Sequence, residues 1–222
     1  MWRCATAPEP AAPRAARLVR GDRGSVLLAL LLVLSLAGVI GGCLVALSAG
    51  ETVFAAHWRA LTEARCAAES AAEYAVAELT RAPDWNAVLA GLAGSAFADA
   101  DAAPRLVDHT ALDLARLDAE VQVARGSAAD WGPDTPRWVR YVWGPLAQVW
   151  PGEVTSPFYV VAWVADDPFD GDGDPLVDTN GLVQVRAEAF GGLGTRRAAV
   201  AVIARRGSGP GPVRRVAWRA VD

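Results

Sequence analysis

Between Arg23 and Glu51 the chain carries no charge, and Ser25 to Ser48, SVLLALLLVLSLAGVIGGCLVALS, runs apolar for 24 residues. At about 1.5 Å per residue, a helix of that length crosses a hydrocarbon layer about 30 Å thick. No proline interrupts the chain from Ser25 to Ala82. The glycines at 38, 41, 42 and 50 are compatible with a membrane helix. Beyond Glu51, the residues Phe54, Trp58, Leu61, Ala68, Ala72, Ala75 and Leu79 recur at steps of three and four, with Arg65 falling in register. Glu51, Arg59, Glu63, Glu69, Glu73 and Glu78 lie off that stripe, which is the pattern of an amphipathic helix. Pro83 ends it by biasing Ala82 away from the helical region. The pattern predicts one helix of about 56 residues, roughly 84 Å long, apolar all round in its first half and one-sided in its second.

Five arginines, at 3, 14, 17, 20 and 23, precede the apolar run, against only Glu9 and Asp22. The positive-inside rule therefore keeps the N-terminus cytoplasmic and exports the chain beyond Glu51. A secretory signal has an apolar region of about 7–15 residues before a small-x-small site. Ala46-Leu47-Ser48 supplies such a site, but after a run longer than that. Ile40-Gly41-Gly42-Cys43 has the form of a lipoprotein signal, yet Leu44 to Leu47 stay apolar where a mature lipoprotein turns polar. Both remain alternatives to a retained anchor. Gly38 and Gly42 stand four apart, the spacing that lets membrane helices approach closely.

Cys4 precedes the run, Cys43 lies within it, and Cys66 comes after it. On one helix Cys43 and Cys66 are roughly 35 Å apart, beyond disulfide reach. The exported part is thus expected to be stable without an internal disulfide. All 21 basic residues are arginine and the net charge is -4, so overall charge gives no reason to expect a nucleic-acid partner.

Past Pro83, Asp84 to Leu92 reads as a short helix, and Thr110 to Val123 as a helix or an ambiguous segment. Strand patterns lie at Arg137 to Trp143, Phe158 to Asp166, Leu182 to Phe190 and Arg196 to Ala204, separated by Gly and Pro turns. Leu182, Gln184, Arg186 and Glu188 alternate with Val183, Val185, Ala187 and Ala189, which predicts one wet and one buried face. In the last strand Ala198, Val200 and Val202 are expected to point inward, toward the helical stripe from Phe54 to Leu79. Tryptophans 131, 138, 143, 150 and 163 are expected to pack in the core.

The segment Asp166 to Asp178 places six carboxylates in 13 residues, and no arginine occurs between Arg140 and Arg186. Asp170, Asp172 and Asp174 sit like the first, third and fifth positions of a calcium loop, since hard Ca²⁺ takes six to eight oxygens. Pro175 and Gly181 replace the glycine and glutamate that an EF-hand needs. A looser structural calcium site, completed by Asp178 or Asn180, is left open beside a solvated acidic turn. His57 and His109 lack metal spacing, and no hydrolase triad, HExxH or phosphate loop is evident, so the chain reads as non-enzymatic. Arginines 205, 206, 214, 215 and 219 around Gly207-Ser208-Gly209-Pro210-Gly211-Pro212 suggest a flexible basic tail over residues 206–222.

The stretches Arg23-Gly24-Ser25-Val26-Leu27-Leu28 and Glu63-Ala64-Arg65-Cys66-Ala67-Ala68-Glu69-Ser70-Ala71-Ala72-Glu73 resemble the type IV pilin class, in particular the PilX-type minor pilins. The resemblance covers roughly residues 20 to 80. It implies cleavage by a prepilin peptidase between Gly24 and Ser25, an inner-membrane anchor that keeps its helix, and other pilin subunits as partners of that helix. Gly38, Gly42, Phe54, Trp58 and Leu61 are the residues expected to pack there. Major pilins carry Phe after the cut and Glu at the fifth mature position, where this chain has Ser25 and Ala29. That departure implies a minor subunit rather than the repeating one.

The expected fold is α+β and pilin-like: a long N-terminal transmembrane-to-periplasmic α-helix packed on a C-terminal antiparallel β-sheet. The corresponding divisions are a leader at 1–24, a transmembrane segment at 25–50, an amphipathic continuation at 51–82, an exported domain at 83–205 and the tail.

Overall fold

The structure, a computed structural model, describes residues 23–99, 105–108, 110–123, 135–148, 155–207 and 209–221. Helix α1 spans Arg23–Arg81. The chain divides into two compact units with the boundary between Val53 and Phe54. In the first unit, the described residues form only the apolar part of α1, long and apolar enough to cross a membrane. Its Val, Leu and Ile side chains are exposed throughout.

The second unit is an α+β domain. Its elements after α1 are α2 (Trp85–Leu89), β1 (Arg105–Val107), β2 (Thr110–Leu112), α3 (Leu114–Val123), β3 (Val139–Pro145), β4 (Tyr159–Asp166), β5 (Leu182–Phe190), β6 (Arg196–Arg205) and β7 (Val213–Val221). Strands β3 to β7 form one antiparallel sheet in sequence order. The expected long helix on an antiparallel sheet is therefore present.

Alanine makes the contact between α1 and the sheet. Ala64, Ala67, Ala68, Ala71, Ala72, Ala75 and Leu79 are buried in one cluster with Val160, Ala162 and Val164 of β4, Val183, Val185, Ala187 and Ala189 of β5, and Ala199, Ala201 and Ile203 of β6. The residues that meet are small on both surfaces, and alanine loses no side-chain entropy on burial. The covered stretch starts at Ala64, so Phe54 and Trp58 of the expected stripe lie beyond it and are exposed. Arg65, in register by sequence, turns outward to pair with Glu69.

In β6, Ala199, Ala201 and Ile203 face α1, not the expected Ala198, Val200 and Val202. Both alternating sets are apolar, so the strand's own pattern cannot choose a face. Pairing with β5 chooses it: Val183 opposes Ile203, Val185 opposes Ala201 and Ala187 opposes Ala199, and directly opposed residues share a face.

The other face of the sheet is not wet either. Leu117 and Val121 of α3 and Val107 of β1 cover it, packing with Trp138, Tyr159, Val161, Trp163, Ala165 and Phe190. Two of the expected core tryptophans, Trp138 and Trp163, are thus buried there, and Trp143 packs against the same cluster. Trp131 and Trp150 lie outside the described residues. The ambiguous segment from Thr110 resolves at Asp113, whose carboxylate accepts the N–H groups of Ala115 and Arg116 and so caps α3 after the short β2.

Under α3, Glu188 of β5 is 0 % exposed. Its carboxylate accepts hydrogen bonds from Arg186 at 2.7 Å and from Arg196 at 2.6 Å. Arg196 also reaches Glu120 of α3 at 3.0 Å, and Glu120 pairs with Arg116. The Arg196 hydrogen bond is the main reason that the Glu120 carboxyl is held below the usual range. Burial alone would lower the Arg196 guanidinium, but Glu188 and Glu120 outweigh it and raise it.

Residues 213–221, expected to be part of a flexible tail, form β7 and pair with β6 from Ala198↔Val221 to Arg205↔Val213. The Gly- and Pro-rich stretch is a connection between two strands, with Gly207 and Gly209 at positive φ. Val213 and Trp218 pack on the core, Arg215 lies over the Trp218 ring at 4.4 Å, and Arg215 pairs with Glu73 of α1. Arg214, Arg215 and Arg219 on this edge strand supply the charge that discourages edge-to-edge pairing.

One glycine is required where β5 begins. Gly181 has φ 76°, and a Cβ there would stand 2.5 Å from the carbonyl oxygen of Arg205. Gly181→Ala is expected to destabilise the domain by more than about 2 kcal/mol, combining left-handed strain with a clash against backbone. Gly173, also at positive φ but with open space around it, is expected to lose only about 1 kcal/mol on the same change. Thermal unfolding of the two full-length variants in detergent, followed by tryptophan fluorescence, compares them; equal losses would contradict the close approach.

Candidate functional site

Two groups of residues carry chemistry or contact potential, and each lies within one unit or on its own segment of α1. Gly24 and Ser25, the expected cleavage junction, occupy the first turn of α1 and are exposed. Gly38 and Gly42 have nothing within 4 Å of where a Cβ would stand, so their helix face is open to a neighbour. In the second unit, Phe54 and Trp58 are 69 % and 64 % exposed and stack on each other, with ring centroids 6.3 Å apart and planes at 10°. Leu61 is half-buried. Among the expected packing residues, Gly38, Gly42, Phe54 and Trp58 are therefore free of intramolecular cover, and Leu61 is partly covered. His57 is exposed beside them, and His109 lies outside the described residues. Cys43 and Cys66 are free and exposed; Cys4 lies outside the described residues.

The acidic connection between β4 and β5 is built from turns whose side chains hold backbone N–H groups. Asp172 accepts from Asp174 N–H at 2.9 Å and Asp174 from Leu176 N–H at 3.0 Å. These are Asx-turns, which short acidic side chains form readily. Gly171 and Gly173, with φ 76° and 80°, reverse the chain between them. Asp170 closes the loop: its carboxylate accepts both the hydroxyl and the backbone N–H of Thr179. Asp178 holds Gly181 N–H at 2.6 Å and Leu182 N–H at 3.1 Å, while its own N–H donates to Asn86 of α2 at 2.9 Å. Asn180 donates to Asp167 and accepts from Leu182 N–H.

The expected ligand set of Asp170, Asp172 and Asp174 with Asp178 or Asn180 is therefore not the set that converges. Among the described residues, the carboxylates that come together are Asp166, Asp170 and Asp172, each offering an oxygen within 4.8 Å of the others. Asp174, Asp178 and Asn180 are engaged in ordering the backbone. Asp166 is outside the expected ligand set because it ends β4, where the strand pattern accounts for it. The signal was available in its position four residues before Asp170, at the mouth of the loop.

Asp166 is 2 % exposed, and its Oδ1 has no hydrogen-bond partner. Burial, opposed by a hydrogen bond from the Asp167 backbone and reinforced by Asp170, Asp178 and Asp172, pushes its carboxyl up to about 7. A carboxyl raised in the folded state opposes folding once it must ionise. The cost attributable to Asp166 is absent below the ordinary aspartate range, grows as pH rises through it and is complete above about 7. Burial likewise raises the Asp178 carboxyl, against the N–H groups of Gly181 and Leu182.

Comparison with known protein families, curated proteins and solved structures finds no match for this chain.

Proposed function

We propose that this chain is a membrane-anchored, minor pilin-like structural subunit, whose N-terminal helix packs with the helices of other pilin-type subunits in a type IV pilus or related filament. The observation that carries this reading is the division of labour along α1. From Ala64 to Leu79 the helix supplies the core of an α+β domain, while its apolar length before Glu51 and the Phe54–Trp58 pair are left without intramolecular cover. Exposed apolar surface of that extent marks a membrane or protein contact. The first part is long enough for the membrane, and the aromatic pair lies past it, where a neighbouring helix is the fitting surface.

In this reading prepilin peptidase cuts after Gly24, the inner membrane holds the mature helix, and assembly transfers that helix from lipid to a bundle of like helices. Ala29 cannot neutralise a neighbour's terminal amine in an apolar bundle, so the subunit is rare in the filament or sits at its tip. The role is structural, with no reaction assigned.

The mature chain purified from its native membrane is expected to begin at Ser25 when sequenced from its N-terminus. A start at Cys43 bearing a diacylglycerol group would establish a lipoprotein in its place, and a start near Ala49 an ordinary secreted domain. Quantitative mass spectrometry of sheared filaments is expected to find the chain at a small fraction of the main subunit; equal or greater abundance would overturn the minor role.

A further inference from the structure

We infer that Asp166, Asp170 and Asp172 form a binding site for one Ca²⁺ ion that orders the connection between β4 and β5. This site is independent of the filament reading.

Three observations meet at it. The first is geometry: at Ca–O distances of 2.3–2.6 Å, oxygens on opposite sides of one ion are about 5 Å apart. Three oxygens mutually within 4.8 Å therefore fit inside a single coordination shell.

The second is the orphaned Oδ1 of Asp166, buried at the end of a strand that is itself buried along its length. Buried polar atoms are nearly always paired, and a buried carboxylate with an unpaired oxygen, grouped with two further carboxylates, is a costly kind to leave. Arg205 acts on Asp178, beside the cluster rather than in it. A divalent cation satisfies the orphan and removes the mutual repulsion in one step.

The third is the way the other two carboxylates are held. Thr179 pins Asp170 and the Asp174 N–H pins Asp172, so these two ligands are fixed in place by hydrogen bonds that do not use up their oxygens' lone pairs. Three hard anionic oxygens, with room at the exposed Asp172 side for water, suit Ca²⁺ and its tolerance of irregular geometry better than Mg²⁺, which demands a near-ideal octahedron. The consequence is structural. Asp178 and Gly181 of the same loop contact Asn86 and Arg205, so an ion that orders the loop also steadies α2 and the end of β6.

The test uses the full-length chain in detergent, stripped with chelator and titrated with CaCl₂ or MgCl₂ by calorimetry. One Ca²⁺ per chain is expected, bound more tightly than Mg²⁺, with a rise in melting temperature that tracks the calcium concentration. Asp166→Asn and Asp172→Asn are each expected to weaken calcium binding at least about tenfold, the loss that even a supporting partner of a metal ligand causes. Asp174→Asn, outside the cluster, is expected to bind within about twofold of the parent. Asp172 is exposed, so its variant is expected to fold whatever becomes of Asp166→Asn. No binding at millimolar calcium, undiminished binding in Asp172→Asn, or equal binding of the two ions would each overturn the site or its choice of calcium.

Discussion

Trp85→Ala is expected to cost about 3–5 kcal/mol, the range for removing a large aromatic from a closed core. The residue stands two positions after Pro83 and folds back under the end of α1, where it is 1 % exposed. Its indole N–H donates to the carbonyl of Leu79 at 2.9 Å, one of the last helix carbonyls that have no partner within the helix. Arg205 lies over its ring at 4.2 Å and donates to the carbonyl of Ala82 at 2.8 Å. One side chain thus fills the core, caps α1 and seats the arginine that ends β6. Trp85→Phe keeps the ring and loses the indole hydrogen bond, and is expected to cost nearer 1 kcal/mol. Unfolding of the full-length variants in detergent separates the two terms. A loss under about 1 kcal/mol for the alanine variant would mean that the helix end does not depend on this closure.

The second large effect is expected at Glu188. Removing its carboxylate by Glu188→Ala leaves Arg186, whose side chain is 15 % exposed, beside Arg196 with no shared anion between them. Breaking a buried pair by deleting one partner costs about 3–5 kcal/mol, since the remaining charge stays desolvated. Replacing the group as a whole behaves differently: Glu188→Leu combined with Arg186→Leu is expected to recover part of the loss, because no buried charge is then stranded on β5. A double-mutant cycle on melting in detergent gives the coupling directly. Additive losses would show that the two residues do not act as a pair. The link from Arg196 to Glu120 also ties α3 to the sheet, so Glu188→Ala is expected to increase proteolysis within α3 before the rest of the domain.

Neither effect was readable from the residues alone, because Trp85 is overlain by Arg205 from the end of β6 and Glu188 is tied through Arg196 to Glu120 of α3. Arg186 and Glu188 alternate with apolar neighbours, which is the pattern of a wet sheet face. They are buried because α3 lies over them, and α3 is a ten-residue helix whose sequence shows only a modest apolar side. The same holds for Val213–Val221. Its arginines resemble those of a soluble tail, and strand pairing with β6 depends on hydrogen bonds that composition does not encode. The acidic loop was legible as a cluster of oxygens, yet its convergent members were not. Which carboxylates meet depends on where the turns at Gly171 and Gly173 aim them.

What the sequence determined by itself was everything governed by local pattern: the uncharged length before Glu51, the helix running on to Pro83, and four of the five main-sheet strands and their turns. These rest on periodicity, chain breakers and the length of a membrane, each a property of neighbouring residues. Tertiary structure alone decided which face of β6 meets the helix, how far the sheet covers α1, and which three aspartates converge. Each of those outcomes rests on register and on burial by a distant element. When both faces of a strand are apolar, or when a loop carries six carboxylates, local chemistry fits more than one arrangement and only the packed structure selects among them.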